Sequence, residues 1–337
     1  MIQEMISNVL SGMNLTREDS AGVMQEIMGG EATDAQIAAF LVGLRCKGET
    51  VEEIAGAAQV MREKATRIQT KHKVVVDTCG TGGDGSGTFN ISTTAAFVVA
   101  GADICVAKHG NRSVSSQCGS ADVLKALGVN IEISPEQVGR CLDEVGIGFL
   151  FAPMLHGAMK YAIGPRREIG VRTIFNVLGP LTNPAGASHQ LIGVYSRALT
   201  SVIAEVLHSL GAERAMVVHG SDGLDEITVT GESYMSILVD GEVWSSKLSP
   251  EEVGISLADP KTLLGGTAQE NAEITLSILS GKEQGPKRDV VLLNAAAALS
   301  VGARVPNFEQ GVEMAREVLD SGAALGKLEM LKEASNA

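Results

Sequence analysis

Residues 74–94 read VVVDTCGTGGDGSGTFNISTT. Val74, Val75 and Val76 are apolar and β-branched, a composition that favours a buried strand. Gly80-Thr81-Gly82-Gly83-Asp84 follows at once, and glycine lets the backbone take positive φ and turn several amides inward as an anion nest. Asn90-Ile91-Ser92-Thr93-Thr94 then opens a helix continuing through Val99, where unsatisfied N–H groups and the helix dipole offer a second anion site. Capping by Ser92 or Thr93 is the ordinary reading of one such hydroxyl. Strand, glycine nest and helix start in this order predict the first unit of an α/β sheet that binds phosphate at its carboxyl edge.

The chain on either side extends that pattern. A second strand near Ile104–Ala107 precedes a turn, Lys108-His109-Gly110-Asn111-Arg112, followed by Ser113, Ser115 and Ser116, so two cations and several hydroxyls reach the same edge. Further strands near Phe149–Phe151, Leu191–Tyr195 and Ala215–His219 alternate with helical stretches, as in a parallel sheet with crossover helices. Tyr234–Leu238 and Glu242–Ser245, joined through Asp240-Gly241, predict a hairpin. Helices are expected from Ser134-Pro135 through Val145, from Ala158 through Leu178 with a stop at Gly179-Pro180, and over 269–279, 290–301 and 309–321. The run Ala295–Ala298 reads as a closely packed core helix.

Residues 1–72 predict helices alone. Thr16 with Asp19, Thr33 with Gln36 and Thr50 with Glu53 are three capping boxes, each followed by apolar residues at helical spacing. The fold class is therefore α/β, with a small all-helical N-terminal domain and a larger domain built on a mainly parallel sheet. The helical unit is expected to comprise 1–72 joined by an insertion at about 158–184, and the α/β unit 73–157 and 185–337. The basic cluster Arg62, Lys64, Arg67, Lys71, His72 and Lys73 reads either as an anion site or as a solvated linker face.

Composition narrows the function. The 337 residues carry a formal net charge of −13 and only 3% aromatic residues, which disfavours nucleic-acid binding through a basic face or stacking platform. Five cysteines without a C-x-x-C pair fit reduced thiols in a cytoplasmic protein. Cys79, beside the glycine loop, reads as a reactive thiol or as a small buried residue. The N-terminus lacks a signal-peptide pattern, and no apolar run reaches the roughly 20 residues of a membrane helix.

Two further groups carry chemistry. Asp225-Glu226, after Gly223-Leu224 and beyond a strand end, supply hard oxygen ligands of the kind that hold Mg²⁺ beside phosphates. Arg166-Arg167-Glu168 could clamp a carboxylate through bidentate hydrogen bonds or form a surface ion-pair network.

These motifs in order (Asp77 to Asp84, Asn90 to Thr93, Lys108 to Arg112, Gly119-Ser120-Ala121-Asp122, Arg166 to Phe175, Gly179 to Pro184, and Gly223 to Glu226) resemble the anthranilate phosphoribosyltransferase family over nearly the whole chain. The resemblance implies transfer of a phosphoribosyl group from phosphoribosyl pyrophosphate (PRPP) to the amine of anthranilate in tryptophan biosynthesis, with Mg²⁺ as cofactor. It also implies a homodimer formed through the helical domain, and the acidic balance and lack of a long apolar run add the expectation of no nucleic-acid or membrane partner. PRPP is expected along Gly80, Gly83, Asp84, Thr88, Asn90, Ile91, Ser92, Thr93, Lys108, His109, Gly110, Asn111, Arg112, Ser113, Val114, Ser115, Ser116 and Ser120. Anthranilate is expected at Gly80, Asn111 and Arg166 with His109 nearby, and Mg²⁺ near Ser92, Asp225 and Glu226. Lys108, His109 and Arg166 are the expected catalytic residues. The chain departs from the family pattern at Met154-Leu155-His156-Gly157 and at Gly164-Pro165. A second enzyme reading is a pyrimidine nucleoside phosphorylase, and a reading from another class is a non-catalytic nucleic-acid-binding relative on the same fold.

Overall fold

The structure, a computed structural model, describes residues 1–113 and 117–337. Four helices come first: α1 (Ile2–Leu10), α2 (Arg17–Gly29), α3 (Asp34–Lys47) and α4 (Val51–Lys64). The three predicted capping boxes form at Thr16, Thr33 and Thr50, so hydroxyl and N3 side chain satisfy each other's backbone donors. The alternating part follows with β1 (Val75–Gly80), α5 (Ile91–Gly101), β2 (Cys105–Gly110), α6 (Ser120–Ala126), α7 (Pro135–Val145) and β3 (Ile147–Phe151). Next come α8 (Ala152–Leu155), α9 (Lys160–Ile169), α10 (Phe175–Leu178), β4 (His189–Gly193), α11 (Leu199–Ser209) and β5 (Arg214–Gly220). The hairpin β6 (Ser233–Val239) and β7 (Glu242–Leu248) precedes α12 (Ala268–Leu279), α13 (Pro286–Val301), α14 (Phe308–Asp320) and α15 (Ala323–Asn336).

The seven strands form one sheet in the order β3-β2-β1-β4-β5-β6-β7. β1 to β5 run parallel, and β6 and β7 add an antiparallel edge. Successive strand residues face opposite sides: Leu191, Met216 and Val218 enter one core, while Ile192, Val217 and Leu238 enter the other. The first core is closed by α5, α7, α13 and α15. The second joins α11 to the N-terminal helices, and it also takes in Ala162 of α9 and Phe175 and Leu178 of α10.

Three crossings connect the helical head to the sheet. Thr66 donates its N–H to the Leu155 carbonyl at 2.8 Å, and Ile68 donates to Pro184 at 3.0 Å, so the crossings are bonded to one another. Arg62 of the basic cluster is turned inward and donates to the Leu181 and Leu210 carbonyls. It is part of this junction.

Several sequence expectations are corrected. Lys108-His109-Gly110 are the last residues of β2, paired with Phe149, Leu150 and Phe151 of β3, and do not form a turn beyond it. The stretch from Ala158 to Leu178 is two helices, because Gly170 takes φ +64° after α9 and breaks the run before α10. Asn90, without a side-chain hydrogen bond to the helix, occupies the N-cap of α5, so neither Ser92 nor Thr93 caps it. Cys79 is buried and its thiol is pushed well above the usual range by burial and by Asp77, which removes the nucleophile reading. Among the described residues no helix is long and apolar enough to cross a membrane.

Candidate active site

The glycine loop leaves β1 in the geometry the sequence demands. Gly82, Gly83, Gly85 and Gly87 have φ between +65° and +76°, a region costly for residues bearing a Cβ. The loop's far side is stitched to the sheet-covering segment before α12, through Phe89 N–H to Leu263 and Gly265 N–H to Gly87. Ser86 Oγ donates to Asp84 Oδ2 at 2.6 Å and holds that carboxylate inward. Thr88 pairs with Leu264 as an isolated bridge.

The loop between β5 and β6 brings Asp225 and Glu226 onto this cradle. Gly82 N–H donates to Asp225 Oδ2 at 2.7 Å, and Ser92 N–H, in the first turn of α5, donates to Glu226 Oε1 at 3.1 Å. The approach is so close that a Cβ on Gly80 would lie 2.5 Å from Asp225 Oδ2, and one on Gly193 would overlap the Asp225 carbonyl oxygen. Burial first, and then the neighbouring Asp84 charge, raises the Asp225 pKa to about 7. Burial and then Asp225 raise Glu226 to about 8. Such shifts mark carboxylates gathered without enough neutralising charge.

Lys108 is the cation behind them, 3% exposed. Its Nζ donates to the Thr78 carbonyl and lies 3.4 Å from Ser92 Oγ. Burial lowers its pKa against the opposing pull of Asp77, Glu226 and Asp225. Asp77 is itself fully buried and accepts from Asn183 Nδ2 at 2.8 Å and from His109 N–H at 3.1 Å, which fixes the ends of β1 and β2 relative to each other.

His109 points to the junction with the helical head. Its Nδ1 lies 3.1 Å from the Gly179 carbonyl and its Nε2 3.2 Å from His156 Nε2. A carbonyl only accepts, so Nδ1 of neutral His109 carries the proton and its Nε2 accepts from His156. Burial depresses both imidazoles, His109 to about 3 and His156 to about 4. His156 lies in the stretch that departs from the family pattern, yet it is tied directly to an expected site residue.

Arg166 projects from α9 over the Phe175 ring, 4.9 Å to the centroid. Among the described residues its side chain makes no hydrogen bond or ion pair, so the surface-network alternative does not apply to it. Asn111 is exposed beside β2, and Ser120 Oγ donates to its carbonyl at 3.3 Å. Arg112 turns outward to Asp122 and Glu132 and stacks on Phe151. Ser113 N–H donates to Asp122 Oδ2. Val114, Ser115 and Ser116 lie outside the described residues. The structure thus brings together Gly80, Gly83, Asp84, Asn90 to Thr93, Lys108, Asp225 and Glu226, while Arg166 lies on α9 among the helical elements, over Phe175.

Arg172 was missed by the sequence reading. It stacks on Tyr195 at 4.4 Å and donates to the Gly83 carbonyl, tying the loop to the segment after α9. No spacing rule singles it out from the neighbouring arginines.

The donor set suits a hard divalent cation. Asp84, Asp225 and Glu226 offer carboxylate oxygens, but among the described residues no three acidic, histidine or cysteine groups are gathered tightly enough to cage an ion. That arrangement fits Mg²⁺, which takes one or two carboxylates and completes its shell with water and phosphate oxygens.

The sheet, the helical head and the paired anion nests define a glycosyl transferase. Residues 72–325 match the family described as "Glycosyl transferase family, a/b domain" and residues 3–65 its "helical bundle domain". The chain belongs to the anthranilate phosphoribosyltransferase family. It is 58% identical over 331 residues to the anthranilate phosphoribosyltransferase of Moorella thermoacetica, covering 98% of this chain and 97% of that protein. The crystal structure of the Thermus thermophilus enzyme superposes with a TM-score of 0.94 at 44% identity, covering 99% of each chain. The Saccharomyces cerevisiae enzyme, solved in complex with PRPP and Mg, gives 0.91 at 27% identity, covering 99% of this chain and 98% of that one.

Proposed function

We infer that this chain transfers the phosphoribosyl group of PRPP to the amine of anthranilate and releases pyrophosphate, a step of tryptophan biosynthesis. The observation that carries the reading is the meeting of two backbone anion nests, at Gly82 and at Ser92, with buried Lys108 and the Asp225–Glu226 pair at one sheet edge. In the reaction the amine nitrogen bonds to the anomeric carbon, the bond from that carbon to the pyrophosphate oxygen breaks, and the electron pair leaves with pyrophosphate. The nitrogen then loses a proton to solvent.

The donor would lie along the glycine loop, the start of α5 and the end of β2, with Lys108 and the loop amides set where negative charge accumulates on the leaving group. Asp225 and Glu226, with Ser92 beside them, would hold Mg²⁺, which offsets pyrophosphate charge when bound. Arg166 would clamp the anthranilate carboxylate, because its guanidinium is half-buried and unpaired with any carboxylate among the described residues. An aromatic amine is already neutral near pH 7, so the acceptor needs placement more than a strong base. Neutral His109, locked in one tautomer, would border the acceptor.

The same reading includes a homodimer formed through the helical head, where Leu10 and Met13 are 69% and 50% exposed, and a helical unit that takes in the insertion at about 158–184. It also includes a cytoplasmic location, favoured by five cysteines without a C-x-x-C pair. The test is loss of anthranilate fluorescence on adding PRPP and Mg²⁺, with pyrophosphate release followed in parallel. Folded protein that consumes neither substrate sinks the reading.

A further inference from the structure

The carboxylate pair sits on a segment with little regular structure, between the end of β5 at Gly220 and the start of β6 at Ser233. Local bonds hold its two ends. Gly220 N–H donates to the Leu224 carbonyl at 2.8 Å and Ser221 N–H to Glu232 at 2.8 Å. Asp222 Oδ2 accepts from the hydroxyls of Thr228 and Thr230. The middle, where the chemistry lies, is held from elsewhere.

Asn294 of α13 supplies that hold. Its Oδ1 accepts from Ile227 N–H at 3.0 Å and its Nδ2 donates to the Ile227 carbonyl at 2.8 Å. The same Nδ2 also donates to the Val290 carbonyl, 2.8 Å away within α13, which fixes the amide's orientation. Asn294 and Ile227 are both fully buried, so neither main-chain group of Ile227 has water as a substitute partner. Ile227 follows Glu226 directly. On the opposite side the segment presses against Gly80 and Gly193, where no Cβ fits. The pair is therefore gripped between two glycine-floored strand ends and one amide 67 residues further along.

We propose that Asn294 is a positioning residue that sets Asp225 and Glu226 for the divalent cation and the pyrophosphate. α13 is otherwise apolar through this stretch, Leu292-Leu293-Asn294-Ala295-Ala296-Ala297-Ala298, and a lone amide there would cost stability without a bonded partner. A grip on the peptide next to a ligand acts as outer-shell partners do, through the geometry of the ligand it supports, and loss of such partners costs about 10–100-fold in metal affinity or activity. The proposal rests on the metal-dependent reading above.

The experiment measures Mn²⁺ binding by electron paramagnetic resonance in the presence of PRPP and without anthranilate, for wild type, Asn294→Leu, Asn294→Asp and Val291→Ala. Val291 is an equally buried neighbour on α13 with an apolar role only. Both Asn294 variants should weaken Mn²⁺ binding by about tenfold or more, and the activity curve against Mg²⁺ should shift likewise, while KM for anthranilate stays within about twofold. Val291→Ala should lower Tm and leave the Mn²⁺ curve in place. Asn294→Asp retains the acceptor for Ile227 N–H and serves if the leucine variant does not fold. Folded Asn294 variants with wild-type Mn²⁺ binding, or an equal shift in Val291→Ala, overturn the proposal. Wild type that binds no Mn²⁺ with PRPP present overturns the metal-dependent reading instead.

Discussion

Gly82 and Asp225, 143 residues apart in the chain, are joined by a 2.7 Å hydrogen bond from the loop amide to the carboxylate. Ser92 and Glu226 repeat the relationship at the start of α5. Under the proposed function, an incoming phosphate would compete with the protein's own carboxylates for the same amide donors, and a cation that recruits the carboxylates would free those donors.

Replacing Asp225 by Asn and Glu226 by Gln together should separate stability from function. Removal of two crowded, buried acids should raise unfolding free energy in urea by about 1–2 kcal/mol without substrate, while Mg²⁺-dependent turnover disappears. Full activity in the double variant would remove the pair from its metal role.

Arg166→Ala should raise KM for anthranilate by about tenfold or more, the scale of a lost charge-assisted hydrogen bond, and leave KM for PRPP nearly unchanged. Steady-state kinetics with each substrate varied in turn checks this. Unchanged anthranilate kinetics would assign the carboxylate clamp elsewhere.

The buried imidazoles predict an acid-side signature. Both folded-state pKa values lie below the ordinary 6.5, so an unfolded chain takes up protons that the folded one refuses. Their stabilisation is complete above pH 6.5 and is lost as pH falls towards 4 and then 3. At about pH 5 each imidazole has surrendered about 2 kcal/mol. Asp225 and Glu226, raised instead of lowered, work in the opposite direction from about pH 4 to 8, so the comparison must be between variants. His156→Phe should lose about 2 kcal/mol less than wild type between about pH 7 and pH 5 by calorimetry; parallel losses contradict the assignment.

In the helical head, fully buried Glu53 accepts from Leu15 N–H, Thr50 N–H and Lys47 Nζ at 2.8–2.9 Å. Glu53→Ala leaves Lys47 without its counter-charge and should cost about 3–5 kcal/mol in urea unfolding. A loss below about 1 kcal/mol would show that water replaces the carboxylate.

Leu10→Arg combined with Val42→Arg, on exposed positions of α1 and α3, should convert a dimer into a monomer by sedimentation velocity. A dimer that survives both charges forms through another surface.

Short-range signals made much of this legible. The capping boxes announced α2, α3 and α4 because each is complete within four residues, and the glycine run announced the nest because positive φ leaves few other choices. The end of β2 was read short, since Lys108 and His109 are polar residues buried by tertiary partners that no local rule supplies, and β4 was read two residues too far along, as Leu191–Tyr195 instead of His189–Gly193. The break at Gly170 had a local signal that went unread, a glycine followed by β-branched Val171, Thr173 and Ile174, and α15 carried too weak an apolar stripe to be seen. Arg172 and Asn183 act on groups 89 and 106 positions away, beyond any spacing rule. Asn294 did leave a trace: one amide in an apolar helix demands a buried partner, but the sequence does not say which.

The last turn of α11 is held to the helical head by arginines, Arg17 reaching Ser209 Oγ at 2.9 Å and Arg62 reaching the Leu210 carbonyl at 3.2 Å. Because α11 also lies on β5 and β6, the head and one face of the sheet share a single apolar interior. The head is thus no detachable cap. Expressed alone it would present a large greasy wall to water, and any swing towards the glycine loop must slide along α11 and exchange those arginine bonds instead of pivoting freely on three strands of chain.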